Sequence, residues 1–338
     1  MMEEKVKRSK IGKSLSLVAA VLLGTVVLLT ACAPPKPAQQ FTLRIGLFPV
    51  LDILPYIVMK EQGFDKKNGL QFVETTYPGG AAIIEAMASD SIDVGLAIGT
   101  VPVLSAAERG LIPSKVIPVA ASDFADPEHP GMGVLAAKSV TGWRDLEGQQ
   151  IAVNAKNSIT AASLIGRLKQ EGVRNYTLVE ISFPNMGLAV AGGNIAAAAL
   201  MEPFLTQSLL RQDGKFLDWI IGGPPFERFE YTMVVFSTSF YRSQPEAVKA
   251  FLRAYLQALK WINQNPDECR PIFARALSLS PEVTQKMKLL RFSVDGRHDP
   301  ALLESMQPLL IDIGMLKAPI PANKLYDETL LEEVLKEK

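Results

Sequence analysis

Beyond residue 40 the apolar positions run in two alternating periods. Residues 41–47 alternate apolar and polar and end at Phe48-Pro49, the pattern of a half-buried strand. Pro55 falls in the first turn of a predicted helix that reaches Gln62 and stops at Gly63. A strand over 71–76, the turn Tyr77-Pro78-Gly79-Gly80, a helix over 81–89 and a buried strand over 93–98 follow. Thr100 is placed to cap a helix with Pro102 just inside it and Arg109-Gly110 at its close, and 115–121 reads as another strand. Repeated strand–helix units of this length imply an open, mostly parallel sheet covered by helices.

After a loop over 123–133 the same grammar restarts. Strands are predicted over 134–138, 150–153, 177–181, 196–200, 216–221 and 232–237. The helices between them run over 158–171, over 186–191, and from Pro203 to about Asp213-Gly214. From Pro245 to Asn265 the period changes to a long amphipathic helix, with Val248, Phe251, Leu252, Tyr255 and Leu259 on one face. Shorter helices start at Pro271, Pro281, Pro300 and near Asp327. Two α/β halves and a helical tail outline a two-lobed molecule. The tail cannot form a sheet of its own and should pack back on one lobe.

The start of the chain has a different character. Five basic residues (Lys5, Lys7, Arg8, Lys10, Lys13) precede an apolar run over 17–29, the composition of an export signal. The run is at the lower limit for a membrane-spanning helix, which keeps an uncleaved anchor open. Leu29-Thr30-Ala31-Cys32 resembles the lipobox of bacterial lipoproteins. That resemblance implies a signal peptide over 1–31, a lipidated Cys32 and an exposed proline-rich tether over 32–40. Either reading places the body outside the cytoplasm, held at a membrane.

Charge and cysteine content narrow the classes. The whole chain is neutral, with 35 basic and 35 acidic residues. The leader holds five of the first and two of the second, so the remainder is slightly acidic and offers no footprint for nucleic acid. With Cys32 lipidated, Cys269 is left alone, which excludes an intramolecular disulfide and a cysteine zinc site. His129 and His298 are far apart, and His129 lies in the proline-bracketed loop Asp126-Pro127-Glu128-His129-Pro130, so no metal site is expected. No Gly-x-Ser-x-Gly, His-Glu-x-x-His or Gly-x-x-x-x-Gly-Lys pattern is present, and no catalytic residue or cofactor is assigned.

Several local phrases, in order, resemble the solute-binding proteins of ABC importers, in the group that handles nitrate, sulfonates, taurine and thiamine-pyrimidine precursors. They are 56–64 (YIVMKEQGF) with Asn68-Gly69-Leu70, Ile92-Asp93-Val94-Gly95, 145–153 (DLEGQQIAV), Met201-Glu202-Pro203-Phe204, and the helix from Pro245 through Trp261 to Asn265-Pro266. The resemblance implies a type II periplasmic binding protein fold, an α/β protein of two lobes with a cleft between them. Lobe one is then 41–130 plus 235–338 and lobe two 135–230, with crossings near 133–138 and 231–237. It further implies a monomer that captures a small-molecule ligand by hinge closure and docks on an ABC permease whose ATPase subunit hydrolyses ATP.

In open parallel sheets ligands sit beyond the carboxyl ends of the strands, where helix amides point outward. The loops chosen by that rule supply the candidate ligand residues: Phe48, Asp52, Tyr77, Gly79, Gly80, Gly99, Thr100 and Asp123 in lobe one. In lobe two they are Asn154, Asn157, Ser158, Thr160, Asn185 and Glu202. Thr100, Ser158 and Asp52 could instead be helix caps, Asp123 a turn residue, and Tyr77-Pro78-Gly79-Gly80 an ordinary turn. Helix amides favour an anion. Asp52, Asp123 and Glu202 favour N–H donors, because a buried carboxylate needs a partner. A sulfonate, a nitrate-like anion and an aminopyrimidine-like heterocycle therefore all stay open. So do two other roles on the same fold, an enzyme of pyrimidine-precursor synthesis and a periplasmic ligand sensor.

Overall fold

The computed structural model describes residues 40–337. The expected leader, the lipidated Cys32 and the tether through residue 39 lie outside them. Eleven strands are described: β1 (Phe41–Leu47), β2 (Leu70–Thr76), β3 (Val94–Gly99), β4 (Val116–Ala125), β5 (Met132–Ala136), β6 (Gln149–Val153), β7 (Tyr176–Glu180), β8 (Ala197–Met201), β9 (Lys215–Ile221), β10 (Phe229–Ser237) and β11 (Arg291–Phe292). They form two sheets, a six-stranded one in the order β11-β4-β10-β3-β1-β2 and a five-stranded one in the order β7-β6-β8-β5-β9.

Both sheets are mixed. β1 runs parallel to β2 and β3, but β10 enters antiparallel between β3 and β4. In the second sheet β6 is parallel to β7 and β8, and β5 is antiparallel to β8 and β9. β3, β4 and β10 are buried along their whole length, which suits strands covered on both faces and explains their near-continuous apolar sequences. Where β10 meets β3 the register shifts, and Ala97 takes a left-handed φ of 56°. This is the geometry of a bulge, which bends the end of β3.

The chain passes between the sheets at 126–131 and again at 222–228. The crossings expected near 133–138 and 231–237 are instead strands, β5 of the second sheet and β10 of the first. Extended sequence looks the same whether it bridges two lobes or pairs inside one, so pattern alone misplaces the boundary. The two true crossings touch. Gly131 N–H donates to Ile221 O at 3.0 Å, and a Cβ on Gly222, at φ 78°, would lie 2.5 Å from Pro130 Cα. Glycine is required there by both conformation and space.

The tail packs back as expected. The helix Pro245–Gln264 buries Val248, Phe251, Leu252, Tyr255 and Leu259, and Phe251 meets Phe72 of β2 and Phe236 of β10 edge to face. Asp327 N–H donates to Pro118 O of β4 at 3.0 Å. Cys269 is fully buried with its Sγ 2.9 Å from Pro266 O, and burial pushes its thiol up to about 11. It is a core residue. Among the described residues, no helix is long and apolar enough to cross a membrane.

Candidate functional site

The carboxyl ends of β1, β3 and β4 in the first sheet face those of β6, β7 and β8 in the second, and the loops that follow them meet along one seam. Leu51, in a 3₁₀ turn over Leu51–Ile53, donates its N–H to Glu202 O at 3.2 Å across that seam. Phe48 stacks on Phe183 with ring centroids 5.8 Å apart and planes 27° apart, and Phe183 stacks on Phe204 at 5.7 Å and 17°. A Cβ on Gly79 would lie 3.3 Å from Asn154 Nδ2, and one on Gly99 would lie 3.4 Å from Ile159 Cγ2. The two sets of loops are in van der Waals contact.

Two aspartates lie on the first-sheet side. Asp52 follows β1 and is 2% exposed; Asp123, near the end of β4, is fully buried. Thr232 of β10 donates its hydroxyl to Asp123 Oδ2 at 2.8 Å and its N–H to Oδ1 at 3.2 Å. Asp52 lies against the same hydroxyl, but its Oδ1 is buried without a hydrogen-bond partner. Burial pushes Asp52 up to about 7. Asp123 is pushed well above the usual carboxylate range, by burial and then by the charge of Asp52. Desolvation disfavours the charged form of each, and neighbouring like charge adds to it for Asp123. Tyr231 and Tyr255 stand beside the pair, and their phenols are pushed above their ordinary range, chiefly by burial. Tyr255 is held by Ser122 at 2.7 Å.

The other candidates are placed in different ways. Thr100 is wholly buried and donates its hydroxyl to Glu230 O at 2.6 Å, tying the helix Thr100–Glu108 to β10. Glu202 is 4% exposed, and its carboxylate accepts from the Thr206 hydroxyl at 2.8 Å and the Thr206 N–H at 3.1 Å. Its side chain closes the start of its own helix, while its carbonyl reaches across the seam. Burial raises its pKa. Ser158 caps the helix Ile159–Gln170 through the Ala161 N–H, and donates to Asn154 Oδ1 at 2.9 Å and to Ala155 O at 2.6 Å. Thr160 is buried in the first turn of that helix, and Asn157 is exposed just before it.

Asn185 is exposed and donates to Ser182 Oγ at 3.0 Å. Tyr77 is half-buried, with its ring edge over Gly46 on β1. Gly80 starts the next helix so close to β3 that an added Cβ would lie 3.3 Å from Ile98 Cα. The structure thus joins Phe48, Asp52, Gly79, Gly99, Asp123, Asn154 and Glu202 along or beside one seam, and uses Thr100 and Ser158 within the framework. Sequence reasoning passed over Phe183, Phe204, Thr232, Tyr231 and Tyr255. Phe183 stands in a loop that the strand-end rule selects, but an apolar ring there reads as core.

Comparison with known proteins accords with this geometry. The model of the NMT1-like family matches residues 36–278. The chain belongs to that family. A Bacillus subtilis (strain 168) protein named for binding aliphatic sulfonates is 24% identical over 276 residues, which cover 79% of this chain and 80% of that one. The taurine-binding periplasmic protein of Escherichia coli (strain K12) is 27% identical over 220 residues, covering 62% of this chain and 63% of the relative. Among solved structures, the ligand-binding component of an ABC-type import system from Staphylococcus aureus superposes with a TM-score of 0.71 at 16% identity, over 88% of this chain and 99% of that one. At that identity the likeness concerns the fold, which is the two-lobed periplasmic binding protein architecture. Among the described residues, no group of three or more His, Cys, Asp or Glu side chains is arranged to hold a metal ion.

Proposed function

We propose that this NMT1-like chain is the extracytoplasmic solute-capture component of an ABC importer and works by hinge closure. The observation that carries the reading is the seam. Strand ends from two sheets converge on it through Leu51–Glu202 and Phe48–Phe183, while among the described residues the chain crosses between the sheets only at 126–131 and 222–228. Two strands of backbone make a hinge, and a solute held between the loops touches both lobes only when they close. Binding then shifts the open–closed population by the solute's differential affinity for the two states. In this reading lobe one is 41–125 with 229–338, and lobe two is 132–221, the bounds set by the two crossings. The relatives' names support the capture role.

The protein binds and releases, without covalent chemistry of its own. Cys269 is a buried thiol held by a carbonyl, and the carboxyls of Glu202 and Asp123 rest against hydroxyls. The leader and Cys32 supply a lipid anchor, and residues 32–40 a tether, so a monomer stays beside its permease and ATPase partners. Small-angle scattering of the protein, with and without candidate solutes, tests the closure. A bound solute should reduce the radius of gyration. A solute that binds by calorimetry yet leaves the scattering curve unchanged overturns hinge capture. Cys32→Ser should move the protein from the membrane fraction to the soluble fraction with binding intact.

A further inference from the structure

Resting on the capture reading, we infer that the helical tail of lobe one is a closure clamp: two of its segments, 281–290 and 307–317, hold lobe two from opposite faces and set how readily the lobes part. The clamp starts from connectivity. In the second sheet the helix Ile159–Gln170 carries the chain from β6 to its neighbour β7, and the helix Phe183–Ala191 carries it back past β6 to β8. Right-handed crossovers in opposite directions put these two helices on opposite faces of the sheet. The helix Phe204–Leu210 packs beside the second of them. Each face of lobe two is met by a different part of the tail.

On one face, the helix Pro281–Lys286 packs on Phe204–Leu210, and the Lys288 N–H lies against the Glu202 carboxylate. On the other, Leu309 of the helix Gln307–Asp312 seats over Gly166, where an added Cβ would lie 2.7 Å from Leu309 Cδ2 and 3.0 Å from Pro225 Cγ of the second crossing. Asp312 pairs with Lys169 on the same helix as Gly166. A helix interior favours alanine over glycine; the missing Cβ at 166 makes the notch that Leu309 fills. Between and beyond its two segments the tail is fixed to lobe one. Ser293 N–H donates to Ser122 O at 2.9 Å, Asp299 N–H to Glu230 Oε2 at 2.7 Å and Lys317 N–H to Glu108 Oε1 at 2.7 Å, and the buried His298 ring holds the other oxygen of Glu230. The tail therefore moves with lobe one, and its contacts to residues 166, 169 and 202 slip or break when lobe two rotates away. Contacts made with the seam shut and lost with it open add to the closed population.

The seam carries its own reporter. Leu51 N–H donates to Glu202 O across it, so hydrogen exchange of the Leu51 amide in the full-length protein follows opening with no solute added. The amides of β1, between β2 and β3, follow unfolding of lobe one instead. Leu309→Ala should speed Leu51 exchange about tenfold, the worth of a half-buried leucine side chain. Gly166→Leu, which keeps a good helix former but occupies the notch, should speed it as well. Neither should change exchange in β1. Asp312→Lys should speed Leu51 exchange by about two- to fivefold, and Lys169→Asp combined with it should restore the parental rate. Leu51 exchange unchanged by Leu309→Ala and Gly166→Leu overturns the clamp. A rise matched in β1 overturns it too, since that is loss of the fold rather than release of lobe two. A Leu51 amide that in the parent is as slow as those of β1 shows lobes that part only on unfolding, and removes hinge capture together with the clamp. A Leu51 amide faster than β1 but indifferent to the tail removes the clamp alone and leaves capture standing.

Discussion

Asp52 gives a stability prediction that needs no knowledge of the cargo. Its carboxyl is pushed from 3.8 to about 7 by burial, which corresponds to about 4 kcal/mol of preference for the protonated form in the folded state. The folded-state pKa lies above the unfolded one, so this contribution to stability is fully present below about pH 4. It is lost as pH rises to about 7, and gone above that. Asp52→Asn keeps the shape and removes the titration. The variant's stability relative to the parent should therefore climb by about 4 kcal/mol between about pH 4 and pH 8, with nearly all the change complete by about pH 7. The groups facing Asp52 are Asp123, Thr232, Tyr231 and Tyr255. Both phenols stay neutral throughout this range. Asp123, itself raised by burial and by the charge of Asp52, shares the titration, and its own proton is released more easily once residue 52 is neutral. Urea unfolding of both proteins at several pH values measures the difference, and groups that do not feel Asp52 cancel in it. A difference that stays flat with pH, or that falls as pH rises, would falsify the placement of Asp52 in a desolvated carboxyl pair.

Three further outcomes follow from contacts outside the seam. Thr100→Val removes the hydroxyl that Glu230 O accepts at 2.6 Å; chemical denaturation should show a loss of about 1–3 kcal/mol, since the carbonyl is left buried, and no loss refutes the tie between that helix and β10. Gly214→Ala drives a Cβ against Ala136 O and within 3.1 Å of Leu135 and Val190, and should cost about 1–3 kcal/mol by overpacking; an unchanged melting temperature refutes it. Native Cys269 should react with an aromatic disulfide reagent only as fast as the protein opens, because its thiol is buried and raised to about 11; labelling as fast as in urea refutes that.

Much of the architecture is legible in the sequence because period and punctuation are local properties. The period-two run at 41–47, the Pro55 helix start and the Gly63 stop each depend on neighbouring residues, and the strand β1, the helix Leu54–Glu61 and its exit follow them closely. The apolar face of 245–265 likewise predicts a helix found over Pro245–Gln264. The strand-end rule selects loops that meet along one seam for the same reason, since it needs only the order of strands and helices.

Pairing over long distances is different. That β10 enters between β3 and β4, that 132–136 is a strand of the second sheet rather than a crossing, and that Asp52 and Asp123 share Thr232 all depend on segments far apart in sequence. No local pattern encodes them. Side-chain roles divide along the same line. A hydroxyl before a helix reads equally as cap or ligand group; the fold made Ser158 a cap and sent Thr100 to a strand carbonyl. Phe183 reads as core in one dimension and stands opposite Phe48 in three. The chain's own chemistry determined two α/β halves and the loops that end their strands. Tertiary packing decided which carboxyls lost their water and which rings face each other, because burial and proximity exist only once distant segments have met.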